Sequence, residues 1–254
     1  MLLVLRLTLV PIFIAIITLA GRRWGPRAAA FVTALPAVVG PTFYFYAVQQ
    51  GHAFAAHAAA GSLLGLVGVA AFCAAYGYGA TRFSSWPACL LIGWIAFGLS
   101  TFLLRHAEAG ALAGLVCAIA SLLLVRRVLP RPSAPQPLGR PPAWDLPVRM
   151  IAAGTLVFVL TSVAARLGPE LSGLLTPFPV ATAILASFTH AQQGLSAVAR
   201  FLRGYMLGLC SFAFFCFVLA MMLPANPLAW AIGAALAAQL ATQAILLKVM
   251  DAGN

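Results

Sequence analysis

The chain alternates between long apolar stretches and short clusters of arginine, glycine and proline. About 20 consecutive apolar residues are what an α-helix needs to cross a bilayer, and the stretches here have that length rather than that of buried strands. Nine spans are predicted, approximately Leu2–Ala20, Ala28–Val48, Ala58–Gly79, Trp86–Leu104, Ala109–Val125, Met150–Ala165, Leu171–Thr189, Phe201–Leu223 and Leu228–Leu247. The first is read as a retained helix rather than a signal peptide, because no basic segment precedes it and no small-x-small cleavage site precedes Gly21. One stretch differs in kind. Between Pro130 and Pro147 the prolines 132, 135, 137, 141 and 142 alternate with Arg131 and Arg140, which predicts an extended, solvated linker.

Composition turns this pattern into a class. The 254 residues are 63% hydrophobic and 7% charged, whereas a soluble domain is about a quarter charged. A chain so poor in charge has lipid as the solvent for most of its surface. The net charge of +11 would point to nucleic acid in a soluble protein. Here the basic residues sit between apolar runs and no basic-aromatic groove pattern appears, so nucleic acid is not an expected partner. Cys73, Cys89, Cys117, Cys210 and Cys216 all lie within apolar runs with no CxxC spacing, and they read as small packing residues. Neither a metal site nor a cofactor is expected.

Charge also orients the spans. With nine crossings, one side of the membrane receives Arg22, Arg23, Arg27, Arg82, Arg126, Arg127, Arg131, Arg140, Arg149, Arg200, Arg203 and Lys248. The other side receives only Arg6, Arg105 and Arg166. The twelve basic residues mark the cytoplasmic side, which puts the N-terminus outside and the C-terminus inside.

Shifted by 143 residues, the chain matches itself without a gap. Gly25-Pro26 falls on Gly168-Pro169, Thr33 on Thr176, Pro36 on Pro179, and Gln49-Gln50-Gly51 on Gln192-Gln193-Gly194. Arg6 meets Arg149, Thr18 meets Thr161, Gly61 and Gly65 meet Gly204 and Gly208, and Phe72-Cys73 meets Phe215-Cys216. Apolar coincidences are cheap in a chain rich in Ala and Leu, but matched Arg, Pro, Gln and Thr are not. The predicted organisation is a four-helix repeat over residues 1–108, a linker helix with a Pro-rich cytoplasmic loop over 109–143, and a second four-helix repeat over 144–251. The helix between the repeats adds one crossing, so the second repeat is inverted relative to the first, an arrangement common in transporters.

The second helix of each repeat carries the most distinctive residues. Pro36 and Pro179 each lie 11 residues beyond a glycine, about 16 Å along a helix and near the middle of a ~30 Å core. A proline there removes a donor and displaces the carbonyl four residues earlier, and Pro177 adds a further break. Broken helices at the midplane are where transporters place substrate. Thr33 and Thr176, three residues before the prolines, are positioned for a ligand or for the freed backbone. Gln49, Gln50, Gln192 and Gln193 are candidate ligand contacts, or simply helix stops beside a glycine. Arg6 and Arg149 suit an anion or a lipid phosphate, or snorkel to headgroups. His190 is the histidine best placed for a proton relay, though an interfacial histidine is commonly structural. The Gly61/Gly65 and Gly204/Gly208 steps suit close helix packing.

The acids Glu108, Asp145, Glu170 and Asp251 are expected in or beside loops, with no carboxylate at depth to hold a cation. No H-E-x-x-H, G-x-S-x-G or P-loop motif is present, and no enzymatic activity is expected.

Each repeat resembles the GlpM-like family of small four-helix bacterial inner-membrane proteins. The likeness is clearest in Leu171-Ser172-Gly173-Leu174-Leu175-Thr176-Pro177-Phe178-Pro179, followed by Gly194. The first copy keeps Pro36 and Gly51 but has Ala29 and Ala30 where the second has Ser172-Gly173. The resemblance implies a bacterial inner-membrane location and a family able to insert in both orientations. A fused pair would lock one antiparallel pairing into a single chain.

Three functions fit these features. One is a secondary transporter or channel-like permease for an anionic, neutral or lipid-like substrate held between the broken second helices. Another is a non-transporting membrane subunit, with a protein partner, in an envelope pathway such as polysaccharide export. The third is a flippase for a lipid-linked substrate.

Overall fold

The computed structural model describes residues 2–37, 39–107, 110–132, 142–167 and 178–252, and every regular element among them is an α-helix. In chain order these are α1 (Leu2–Trp24), α2 (Pro26–Thr33), α3 (Val39–Gln50), α4 (His52–Arg82), α5 (Trp86–Leu104), α6 (Ala111–Val128), α7 (Asp145–Leu167), α8 (Val180–Met222) and α9 (Leu228–Ala252). Six candidate spans lie among the described residues: Leu7–Trp24 in α1, α4, α5, α6, α8 and Leu228–Lys248 in α9 are each long and apolar enough to cross a membrane.

The outer helices show what surrounds them. On α5 the side chains of Leu91, Ile95 and Leu99 recur every four residues and are more than half exposed, as are Leu112, Val116 and Leu124 on α6. A stripe of this kind facing water would cost about 25 cal/mol per Å2 of apolar surface. Facing lipid it costs nothing, because the solvent is as apolar as the side chain. The architecture is that of a helical membrane protein.

The core lies around α4 and α8. These two helices pack on each other; α4 also contacts α3, α5 and α6, and α8 also contacts α2, α6, α7 and α9. Tyr76 and Phe72 of α4 and Leu202, Met206, Phe215 and Leu219 of α8 are fully buried. Helix α1 packs against α2 and α7. Glycines permit the closest approaches: a methyl added at Gly204 would come within 3.0 Å of the Ala30 Cβ, and one at Gly208 within 2.7 Å of the Ala34 Cβ.

Two departures from the expected spans have local causes. Ala28–Val48 is two helices, α2 and α3, because Pro36 interrupts the run. Conversely, the C-terminal part of Leu171–Thr189 and all of Phe201–Leu223 but its last residue belong to one 43-residue helix, α8, bent at Gly194. Unbent, α8 would reach about 64 Å, twice a hydrocarbon core. Gly194 has φ 73° and ψ −172°, which divides it into segments 180–193 and 195–222. Gly51, between α3 and α4, has φ 90° and ψ 164°. Side chains rarely adopt this backbone, and nothing lies within 4 Å of where a Cβ would sit, so conformation rather than crowding selects glycine at both junctions.

Candidate functional site at the helix break and the carboxylate hub

The break after α2 tests the expected role of Thr33 and Pro36. Pro36 is buried and α2 ends at Thr33, with Ala34 and Leu35 folding back so that their N–H groups bond the carbonyls of Phe31 and Val32 at 3.2 and 3.1 Å. The Val32 carbonyl that a proline would orphan is therefore served by a tighter turn. Thr33 donates its hydroxyl to the Ala29 carbonyl at 2.6 Å, so it serves its own helix. What remains is met from a distance. Gln239 of α9 donates its side-chain amide to the Ala34 carbonyl at 3.0 Å, and Gln243, one turn on, donates to Phe31 at 3.2 Å.

Sequence reasoning missed these two glutamines. A signal was present: two amides four residues apart within the largely apolar α9 lie on one face. Their side-chain oxygens are buried and without a partner among the described residues. In an apolar bundle each is an unused acceptor with a desolvation cost of about 1–3 kcal/mol. The matching residues of the second half divide. Pro179 is buried and caps the start of α8, while Thr176 and Pro177 lie outside the described residues.

A second polar centre forms where α1 ends, α7 begins and α8 bends. Asp145 is fully buried in the first turn of α7. Arg149, one turn later, donates its Nε to Asp145 at 2.8 Å, and Arg22 at the end of α1 donates from its other side at 2.8 Å. Gln192 of α8 donates its amide nitrogen to the same carboxylate and accepts a 3.4 Å bond from Arg149. The Arg149 guanidinium lies 4.8 Å from the centre of the Phe188 ring. Asp145 precedes the apolar part of α7. Burial alone would raise its pKa, but the bonds from Arg149, Gln192 and Arg22 outweigh burial and hold it below the ordinary value of 3.8.

This hub corrects two expectations. Asp145 lies at the loop edge as expected, but it is buried and bonded by three side chains. Arg149 does not snorkel to headgroups or wait for an anion, because it is committed to an internal counter-ion.

The other candidate residues are scattered. His190 is buried one turn before Gln193, and its Nδ1 lies 3.4 Å from the Tyr76 hydroxyl. That is one weak partner on α4, with no second titratable group shown in contact to extend a relay. Gln49 and Gln50 are exposed at the end of α3, and Gln193 is partly buried. The Arg6 side chain lies outside the described residues. Thus Arg149, Gln192 and the unexpected Asp145 and Arg22 come together, and Thr33 and Pro36 gather Gln239 and Gln243.

Comparison with known proteins adds no family: no family model matches the chain, and no curated protein or solved structure matches it.

Proposed function

We propose that this chain is a membrane transport protein, a secondary transporter or channel-like permease built from two inverted four-helix repeats, each similar to a GlpM-like protein. The observation that carries the reading is the break at Thr33–Pro36, where Gln239 and Gln243 hold two backbone carbonyls and keep two unused acceptor oxygens inside an apolar bundle. Irregular backbone at membrane depth is tolerated where it lines a path or is held by protein, and here it is combined with unspent hydrogen-bonding capacity. Acceptors attract hydroxyl or amide donors rather than negative charge. Among anionic, neutral and lipid-like substrates they favour a neutral, donor-bearing solute.

The duplicated architecture draws support from element boundaries. Residues within α1 fall on residues within α7 on adding 143, and the left-handed Gly51 becomes Gly194. These equivalent helices also pair, α1 with α7 and α4 with α8, as a pseudo-two-fold axis through the bundle would require. The same reading keeps Arg22 and Arg149 on the cytoplasmic face of a bacterial inner membrane, where their shared bond to Asp145 fits.

The test is flux. Purified protein in liposomes is assayed by stopped-flow swelling with a small polyol and by a chloride-sensitive dye. The expected result is polyol flux that falls about tenfold in Gln239→Leu/Gln243→Leu, the scale of lost hydrogen bonds in the pathway. No flux above empty liposomes for either solute, together with full tolerance of the double variant in cells, overturns it.

One observation favours the non-transporting subunit. The α2 break is packed hard against Gly204 and Gly208, which leaves no gap on that side. That reading expects a membrane protein to copurify stoichiometrically and no flux in its presence or absence.

A further inference from the structure

The end of α6 carries a cluster of positive charge for which the described residues show no ion pair. Arg126 lies in the last turn of α6, Arg131 follows three residues after the helix ends, and Arg203 projects from α8. The three are close enough for Arg203 to feel the charge of both others, and Arg126 also reaches the field of the buried Cys210, two turns beyond Arg203 on α8. Arg126 therefore lies along the α6–α8 groove rather than out in solvent. Its Nε is buried and has no hydrogen-bond partner among the described residues.

The platform beneath is fixed. Arg203 donates to the Leu129 carbonyl at 2.9 Å, and the Tyr78 hydroxyl donates to the Val128 carbonyl at 2.9 Å. Leu129 is buried and fills the space that a side chain at Gly77 would occupy. The acid described in a buried position, Asp145, is already bonded by Arg22, Arg149 and Gln192.

Basic residues that only orient a helix are solvated and cost nothing to keep apart. Arg126 and Arg203 are half-buried, Arg203 is held by its bond to backbone and lies in the repelling field of Arg126 and the exposed Arg131, a state that an uncompensated charge occupies at a penalty. A phosphate group has the charge and the acceptor oxygens to use both the free Nε and the remaining guanidinium donors. Basic residues at the end of a spanning helix also sit at headgroup level.

We propose that Arg126, Arg131 and Arg203 form a phosphate-binding site at the α6–α8 groove, occupied by the headgroup of an anionic lipid or by free phosphate. This site is independent of the transport reading.

The experiment uses the full chain in an uncharged detergent and follows thermal unfolding with added phosphatidylglycerol, phosphatidylcholine or inorganic phosphate. The wild-type chain is expected to gain stability with phosphatidylglycerol or phosphate and not with phosphatidylcholine. A gain with phosphatidylglycerol alone identifies a lipid site, and a gain with phosphate a soluble ligand. Arg126→Gln removes a side chain whose Nε has no internal bond and relieves repulsion, so the unliganded variant should be as stable as wild type or more so. Its apparent affinity should fall about tenfold or more, the worth of a charged hydrogen bond. The exposed neighbour Arg127→Gln lowers net charge equally and should retain wild-type affinity. Absence of any gain in the wild-type chain, or equal losses in the Arg126 and Arg127 variants, overturns the site.

Discussion

The two Gln-Gln-Gly junctions carry the same three residues and the same left-handed glycine, yet they are in different surroundings. At Gly51 the glutamines 49 and 50 are exposed. At Gly194, Gln192 reaches a buried carboxylate that also holds two arginines, and His190 meets Tyr76. The backbone requirement is common to both, and the side-chain role belongs to one. One difference lies in the sequence of the helix that opens each half. Residue 145 is aspartate, while the position 143 earlier, Leu2, is apolar and offers glutamine nothing to bind. A local motif therefore encodes a bend, and distant residues decide whether the bend becomes a polar junction.

The largest effect is expected where that difference is created. Asp145→Ala leaves Arg149 charged in a buried place, and breaking a buried pair costs about 3–5 kcal/mol. Thermal unfolding in detergent should show a large fall. The hub also gives stability a pH dependence. Because the folded carboxyl titrates below 3.8, its contribution is complete above the ordinary carboxylate range and disappears as pH drops through the lower folded value. Unfolding curves from pH 7 to pH 3 should show that loss in the wild-type chain and a flatter profile in Asp145→Asn.

Next come the glycines. Gly51→Ala and Gly194→Ala should each cost about 1–3 kcal/mol, since both force a side chain into backbone that is nearly glycine-only. Equal losses would establish the shared bend. A loss at Gly194 alone would show that its surroundings, not its backbone, set the requirement. The smallest and most discriminating pair is Gln192→Leu against Gln49→Leu. The first removes a bond to a charged group, worth about 1.5–3 kcal/mol in full and less at this exposed residue. The second should fall within about 0.5 kcal/mol of wild type.

Much of the fold was legible because lipid imposes a simple rule on sequence. Trp86–Leu104 was bounded at both ends by Trp-Pro and arginine, and the helix has those bounds. Pro36 announced the break because proline cannot donate. The site was harder. Asp145 follows six prolines of the linker in sequence, which reads as a solvated place, and its partner Arg22 is 123 residues away. No periodicity links such residues. Gln239 and Gln243 were readable as polar residues in an apolar helix, but only the placement of α9 beside the break shows that their amide nitrogens bind backbone.

The Asp145 hub has a consequence for biogenesis. Its members come from the end of the first helix, the start of the seventh and the middle of the eighth. A ribosome must complete residue 192 before all four side chains exist, so Arg22 leaves the translocon with no mate and waits for most of the polypeptide. Until residue 145 is made, the Arg22 end of the first segment lacks the carboxylate that fastens it to the seventh helix.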